Sequence, residues 1–350
     1  MFKKKRVLRV RKEVILWMAV CLSSMLCVTI IVPGLLVNKI SNSEVSPAPV
    51  LNSELQGASS EQGLMIPVYL TKQAKVQTVP LEQYVRGVLA AEMPVEFELE
   101  ALKAQAMAAR TYVVRRVLEK DYSNMPVQDA LVTDTTAHQA YLTDQELKEK
   151  WVKGSYEANM AKIDRAVNET KDQILTYAHE PINATFFSTS NGYTENSEEY
   201  WPFKSPYLRS VPSPWDIKLS SHYQESVTLS YKTMLQKLGV PSIATTDTSA
   251  KGMKVLKWST GHRILSMTIG GKLFSGREVR EKLGLASSQF AWKWSGSQIT
   301  ITTYGYGHGV GLSQWGANGM AKEGKTAEDI VTYYYTGISI EKASSYLQKS

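Results

Sequence analysis

Between Leu81 and Pro94 the chain reads Leu-Glu-Gln-Tyr-Val-Arg-Gly-Val-Leu-Ala-Ala-Glu-Met-Pro, with Leu81, Tyr84, Val85, Val88 and Leu89 at helical spacing. That stripe must be buried against something, so a helix here commits the chain to a packed body. Glu92 lies on the same stripe. At 100° per residue it falls about 20° from the stripe's centre. Pro94 ends the helix, which puts Glu92 in the last turn, where burial and the negative end of the helix dipole both favour the protonated carboxyl. A carboxyl held neutral near pH 7 is what a general acid requires. The other reading is a glutamate that tilts into solvent at a frayed helix end.

A second helix is expected from Glu98 to about Lys120, with Leu99, Leu102, Ala106, Ala109, Val113 and Val117 on one face. Lys103 and Arg110 are seven residues apart, nearly aligned, and fall inside or beside that face. Two helices joined by a short Pro-containing turn therefore each carry ionisable groups on the side to be buried. They form either a structural ion pair or one wall of a polar cleft.

The formal net charge of +7 invites a nucleic-acid reading until the charges are located. Lys3, Lys4, Lys5, Arg6, Arg9, Arg11 and Lys12 all precede an uncharged run from Val14 to Val37. Without residues 1–13 the chain has 33 basic and 32 acidic residues. The excess is a topology signal, not a nucleic-acid footprint. As a helix the run would span about 36 Å, enough to cross a bilayer. Positive charge before it predicts a cytoplasmic N-terminus and an exported body on a retained single-pass anchor, with a cleaved signal peptide as the alternative. Residues 1–13 then form a basic tail, 14–37 the membrane anchor and 38–63 a polar tether.

Cys21 and Cys27 both lie in the apolar run. The body therefore has no disulfide, thiol nucleophile or cysteine metal ligand. Folded structure is expected from Leu64, with a strand at Met65 to Leu70. Further on, Val132 to Tyr141 reads as strand or loop, Asp144 to Thr170 as helix, and Ile174 to Tyr177 with Ala184 to Phe187 as a strand pair turning at His179-Glu180-Pro181. From Ser226 to Thr303 short strands and one or two helices alternate. The expected fold class is α+β: a helix-plus-sheet core over 64–225 and 304–350, with a strand-rich subdomain inserted at 226–303.

Two polar segments stand out. Ser188-Thr189-Ser190-Asn191-Gly192-Tyr193-Thr194-Glu195 follows a buried strand, and its hydroxyls and amides either make turns or hydrogen-bond a sugar. Tyr304-Gly305-Tyr306-Gly307-His308-Gly309-Val310-Gly311 places His308 among four glycines, ahead of Ser313, Gln314 and Trp315, where a helix can start. The spacing does not fit a dinucleotide fingerprint. His138, His179, His222, His262 and His308 are scattered and offer no local metal-ligand pattern, so His308 reads as a structural group or a cleft residue.

Ala-Ala-Glu-Met-Pro at 90–94, Leu-Lys-Ala-Gln-Ala-Met-Ala-Ala-Arg-Thr-Tyr at 102–112, Phe-Phe-Ser-Thr-Ser-Asn-Gly-Tyr-Thr at 186–194, Leu-Phe-Ser-Gly-Arg-Glu-Val-Arg at 273–280 and Gly-His-Gly-Val-Gly-Leu-Ser-Gln-Trp-Gly-Ala at 307–317 together resemble the stage II sporulation protein D family. The likeness covers roughly 64–340. It implies a membrane-anchored lytic transglycosylase that cuts peptidoglycan glycan strands during forespore engulfment, alongside stage II sporulation proteins P and M. It places the catalytic glutamate on Glu92 and the motif lysine and arginine on Lys103 and Arg110. Some relatives carry a zinc site with cysteines; this body has none, so no metal and no cofactor are expected.

One carboxyl suffices for such a reaction, because the C6 hydroxyl of muramic acid can attack its own anomeric carbon in place of water. Glu92 would protonate the leaving oxygen and then take the C6 hydroxyl proton. Lys103 and Arg110 would hold the lactyl carboxylate or sugar oxygens, and Ser188, Asn191, Thr194, His308, Ser313 and Gln314 would line the cleft. A non-catalytic glycan-binding scaffold and a metal-dependent amidase are the rival classes, and Glu195, Glu198 and Glu199 the rival carboxylates.

Overall fold

The computed structural model describes residues 63–151, 154–241 and 252–348, and the expected tail, anchor and most of the tether lie outside them. No helix of the described residues is long and apolar enough to cross a membrane. The described residues all belong to one compact unit.

That unit opens with a hairpin of β1 (Met65–Leu70) and β2 (Lys75–Pro80), paired Met65 to Pro80 through Leu70 to Lys75. Alternate residues Ile66, Val68 and Leu70 point into the core. Pro80 leads directly into α1 (Leu81–Glu92), whose Tyr84, Val85, Val88 and Leu89 are fully buried, each worth about 1.5–3 kcal/mol of burial. Met93 is extended, and the chain turns into α2 (Leu99–Glu119). Ala101, Ala104, Ala106, Ala108 and Ala109 are all buried. Small side chains around the cylinder make α2 the central helix of the body.

β3 (Val132–Thr133) runs parallel to β1, and the rest of the segment to Tyr141, expected as strand or loop, forms no strand. The single helix expected from Asp144 to Thr170 is two, α3 (Asp144–Lys150) and α4 (Tyr156–Glu169). Trp151 is extended and Gly154 sits at φ +101°, so the first helix stops at Lys150 and the second starts only at Tyr156 although the apolar spacing continues. β4 (Gln173–Tyr177) turns onto β5 (Glu180–Pro181). The expected partner strand is shorter and lies elsewhere: β6 (Phe186–Phe187) pairs with the later Gly-rich segment. After a loop-rich stretch, α5 (Trp215–Leu219) ends the first part of the body.

Next come β7 (Gln224–Ser230), α6 (Tyr231–Leu238), β8 (Met253–Trp258), β9 (Ile264–Ile269), β10 (Lys272–Phe274), α7 (Gly276–Leu283), β11 (Phe290–Ser295) and β12 (Gln298–Tyr304). They form two three-stranded sheets, ordered β10-β9-β8 and β11-β12-β7. Ser230 and Ser275 cap the two helices at their N-termini and Gly239 and Gly284 close them in the left-handed region. The chain then returns through β13 (Leu312–Ser313), α8 (Gln314–Lys322), α9 (Ala327–Tyr334), β14 (Ser339–Lys342) and α10 (Ser344–Leu347). β13 lies parallel to β6, and β14 completes the sheet β14-β4-β5.

The fold is thus mixed helix and strand with several small sheets. Around α2 are α1, α4, β4, α8 and α9. Buried apolar residues form two clusters, one drawn from 66–208 and 310–343, the other from 234–301. A separate core of its own supports the proposal that 226–303 is an insertion.

Candidate active site

The site begins with a close approach. A Cβ on Gly87 would lie 2.3 Å from the Tyr141 ring and 2.6 Å from the Leu142 carbonyl oxygen, so only glycine lets the 139–142 segment lie against α1. Leu142 N–H donates to the Gly87 carbonyl at 3.3 Å, and Tyr84 hydroxyl donates to Gln139 Oε1 at 3.0 Å. The Tyr84 and Tyr141 rings stack with centres 5.6 Å apart. Held this way, Ala140 N–H donates to Glu92 Oε1 at 2.8 Å.

Glu92 is partly buried at the C-terminal end of α1. Burial lifts its pKa above the usual carboxylate range, while the Ala140 N–H and the Gln314 side chain hold it back. Gln314 is close enough to act on the carboxyl, although its Nε2 makes no hydrogen bond of normal geometry. No lysine or arginine among the described residues forms a salt bridge with Glu92. Lys150 Nζ donates instead to the Ala90 carbonyl at 2.9 Å, covering the exposed end of α1.

Gln314 is the first residue of α8, and a buried network fixes where that helix starts. Ser313 caps it, accepting from Gly316 N–H, and its hydroxyl donates to Asp216 Oδ1. Asp216, fully buried, also accepts from Ser190 N–H at 2.7 Å and from Ser213 hydroxyl at 2.6 Å. Trp315 N–H donates to the Ser188 carbonyl at 3.1 Å, and the Trp315 ring meets Phe97 edge-on at 4.7 Å. The segment after Glu92 and the start of α8 are thereby locked together.

Upstream in the Gly-rich segment, His308 packs among Phe187, Tyr200 and Trp201, with ring centres 5.2–5.7 Å away. Its Nδ1 accepts Val310 N–H at 3.1 Å. The residue keeps some solvent exposure, but the ring is desolvated by its aromatic neighbours. That desolvation and the positive charges of Arg280, Arg263 and Arg277 push its pKa down to about 3, so His308 is neutral. A Cβ on Gly309, at φ +89°, would stand 2.4 Å from Arg263 Cζ, which explains glycine there.

Several expected site residues are placed elsewhere. Arg110 is fully buried and grips Glu82 with two nitrogens, at 2.7 and 3.0 Å, while also donating to the Val167 and Gln173 carbonyls. Glu82 and Glu92 are ten residues apart on α1, about 15 Å along the axis. Lys103 pairs with Glu100 at 2.9 Å and Glu169 at 3.1 Å. The expectation that these cations hold substrate beside Glu92 is corrected accordingly: both close ion pairs among α1, α2 and α4. Asn191 Nδ2 donates to the distant Gly261 carbonyl and its Oδ1 accepts Tyr193 N–H, and Thr194 hydroxyl donates to the Arg209 carbonyl while accepting Val211 N–H. Ser188 hydroxyl lies 3.2 Å from that of Thr189. Asn191, Thr194 and Ser313 hold backbone together and are buried, so they do not wall a cleft.

The rival carboxylates are also engaged. Glu195 is buried against Ser259 hydroxyl at 2.7 Å and Arg263 at 3.6 Å. Arg209 binds Glu198 and holds its pKa down to about 2. Glu199 accepts from Thr260. Among the described residues no group of three or more His, Cys, Asp or Glu is placed to hold a metal ion. Cavities of about 260 and 560 Å³ beside Arg86 and Tyr177 touch neither Glu92 nor Gln314.

Of the residues expected in the site, Gln314 lies near Glu92 and His308 sits in an aromatic cluster; Ala140, Lys150, Asp216 and Tyr200, which shape these surroundings, carried no expectation. Ala140 acts through its backbone, which leaves no side-chain signal. Glu92 is a partly buried carboxyl with a raised pKa that accepts one backbone N–H.

A family model described as Stage II sporulation protein matches residues 69–177. Stage II sporulation protein D of Bacillus subtilis is 46% identical over 342 residues, covering 95% of this chain and 97% of that protein. Its namesake from Bacillus amyloliquefaciens is 46% identical over 300 residues, covering 85% of each. The amidase enhancer of Bacillus subtilis is 29% identical over 304 residues, covering 73% of this chain and 40% of that protein.

Proposed function

The chain belongs to the stage II sporulation protein D family, and from that premise we propose that it is a peptidoglycan lytic transglycosylase acting during forespore engulfment. The observation that carries the reading is Glu92: a partly buried carboxyl, raised in pKa, with no salt bridge to a lysine or arginine among the described residues. In the reaction, Glu92 gives its proton to the glycosidic oxygen between N-acetylmuramic acid and N-acetylglucosamine as the C1–O bond breaks. The C6 hydroxyl oxygen bonds to C1, and its proton passes to the Glu92 carboxylate, regenerating the acid. No water enters, so a second carboxylate is unnecessary. Ala140 N–H stabilises the carboxylate between the two steps, and the nearby Gln314 side chain keeps its pKa from rising further.

The uncharged run at 14–37 and the basic tail support a cell-membrane anchor with the body outside. Family membership supports work beside stage II sporulation proteins P and M on the same wall. The amidase enhancer's name favours a second reading, in which the body binds glycan and promotes a partner hydrolase without cutting. Incubating the full chain in detergent with peptide-free glycan strands separates the two. The transglycosylase releases soluble fragments and Glu92→Gln abolishes the release; the scaffold binds strands equally in both proteins and cuts in neither.

A further inference from the structure

Arg277 and Arg280 lie one turn apart on α7, whose sequence Ser-Gly-Arg-Glu-Val-Arg the catalytic reading does not use. Arg280 Nη1 donates to Tyr200 hydroxyl at 3.1 Å and its Nε to the Ala286 carbonyl at 3.2 Å. Arg277 lies over the Tyr200 ring, 4.7 Å from its centre. Arg263, Arg277 and Arg280 all press on the His308 ring electrostatically. Two of the three are balanced, Arg263 by Glu195 and Arg277 by Glu281. Arg280 is half-buried and pairs with no carboxylate among the described residues.

A half-buried cation without a counter-ion, beside two others and a neutral imidazole, favours an anion. A guanidinium offers the planar fork that a carboxylate fits, and Nη2 of Arg280 makes no hydrogen bond within the described protein. Next to it Trp201 and Phe203 stack with planes 4° apart, Phe203 43% exposed, giving a flat apolar face at the site's edge. The Gly-rich segment that holds His308 leads within six residues to Gln314, the side chain that acts on Glu92.

We propose that Arg280, framed by Tyr200, Trp201 and His308, binds a carboxylate carried by the wall glycan. This rests on the glycan being the ligand, as proposed above. It also supplies the anion-binding role that Lys103 and Arg110, committed to their own ion pairs, do not fill. The carboxylate can be the lactyl group of muramic acid or one from a stem peptide.

Binding is read on the full chain in detergent, with Glu92→Gln as background so that no strand is cut. Peptide-free glycan strands, strands with stem peptides, and N-acetylglucosamine oligomers, which carry no carboxylate, are the three probes. Arg280→Met is expected to weaken binding of a carboxylate-bearing strand about 10- to 100-fold and leave the oligomers unchanged. Loss confined to strands with peptides identifies the stem-peptide carboxylate; loss on peptide-free strands identifies the lactyl group. Equal loss on all three probes, or none, overturns the site. Should Arg280→Met fail to fold, carboxyl-reduced strands on the Glu92→Gln protein give the same test: unreduced affinity overturns it. Strand binding that depends on Arg280 without any cutting by the wild-type chain would remove the transglycosylase and leave this site standing.

Discussion

Arg110 closes on Glu82, at the opposite end of the helix that carries Glu92. This ion pair is therefore scaffolding, and Glu92 forms no salt bridge among the described residues. Because the guanidinium is fully buried, removing its counter-charge strands it. Glu82→Gln is expected to destabilise the body by about 3 kcal/mol in denaturant unfolding, with cutting by the remaining folded protein unchanged. A stability loss under 1 kcal/mol would mean the pair is solvated.

The sequence announced both helices, the stripe of α1, the position of Glu92 and the start of α8, because helical spacing and a terminating proline are local signals. It left Lys103 and Arg110 divided between ion pair and cleft, since their partners Glu169 and Glu82 are fixed only by how α4 and α1 cross α2. The helix break at Gly154 and the pairing of β6 with β13 escaped for the same reason: neither is encoded within one window of residues. Asp216 was invisible, because its value lies in Ser190, Ser213 and Ser313, which converge from three separate segments.

Gly87→Ala tests the approach that sets Glu92. The new methyl would press into the Tyr141 ring and displace the segment that donates from Ala140. We expect about 2 kcal/mol of destabilisation and a loss of cutting beyond what the folded fraction explains. Full activity per folded molecule would show that the Ala140 N–H is dispensable.

The acid role fixes the direction of the pH profile. Glu92 must be protonated to act, so the rate falls as pH rises through its raised pKa. Gln314 holds that pKa down; Gln314→Ala should move the alkaline limb to higher pH while lowering the maximum rate. A limb that stays put would separate Gln314 from the carboxyl.

The same shift acts on stability. A carboxyl whose folded pKa lies above its unfolded value binds more proton in the native state, so stability declines as pH climbs between the two values. Glu92→Gln removes that penalty and is expected to melt at or above the wild-type temperature at pH 7. Melting several degrees lower would make Glu92 a structural residue.

His308 behaves oppositely. With its pKa down to about 3, it takes up a proton only on unfolding across mildly acidic pH, so it costs the fold stability as pH falls below the ordinary histidine value. His308→Gln should flatten the acid side of the stability curve, read as melting temperature from pH 7 to pH 5. An unchanged slope would mean the ring titrates normally.

The most direct measurement is the mass of the new chain ends released from peptide-free glycan strands by the full-length protein. The account predicts 1,6-anhydromuramyl ends, lighter by one water than reducing ends, that disappear with Glu92→Gln. Reducing ends, or anhydro ends that persist in the variant, would contradict a single-carboxyl transglycosylase centred on Glu92.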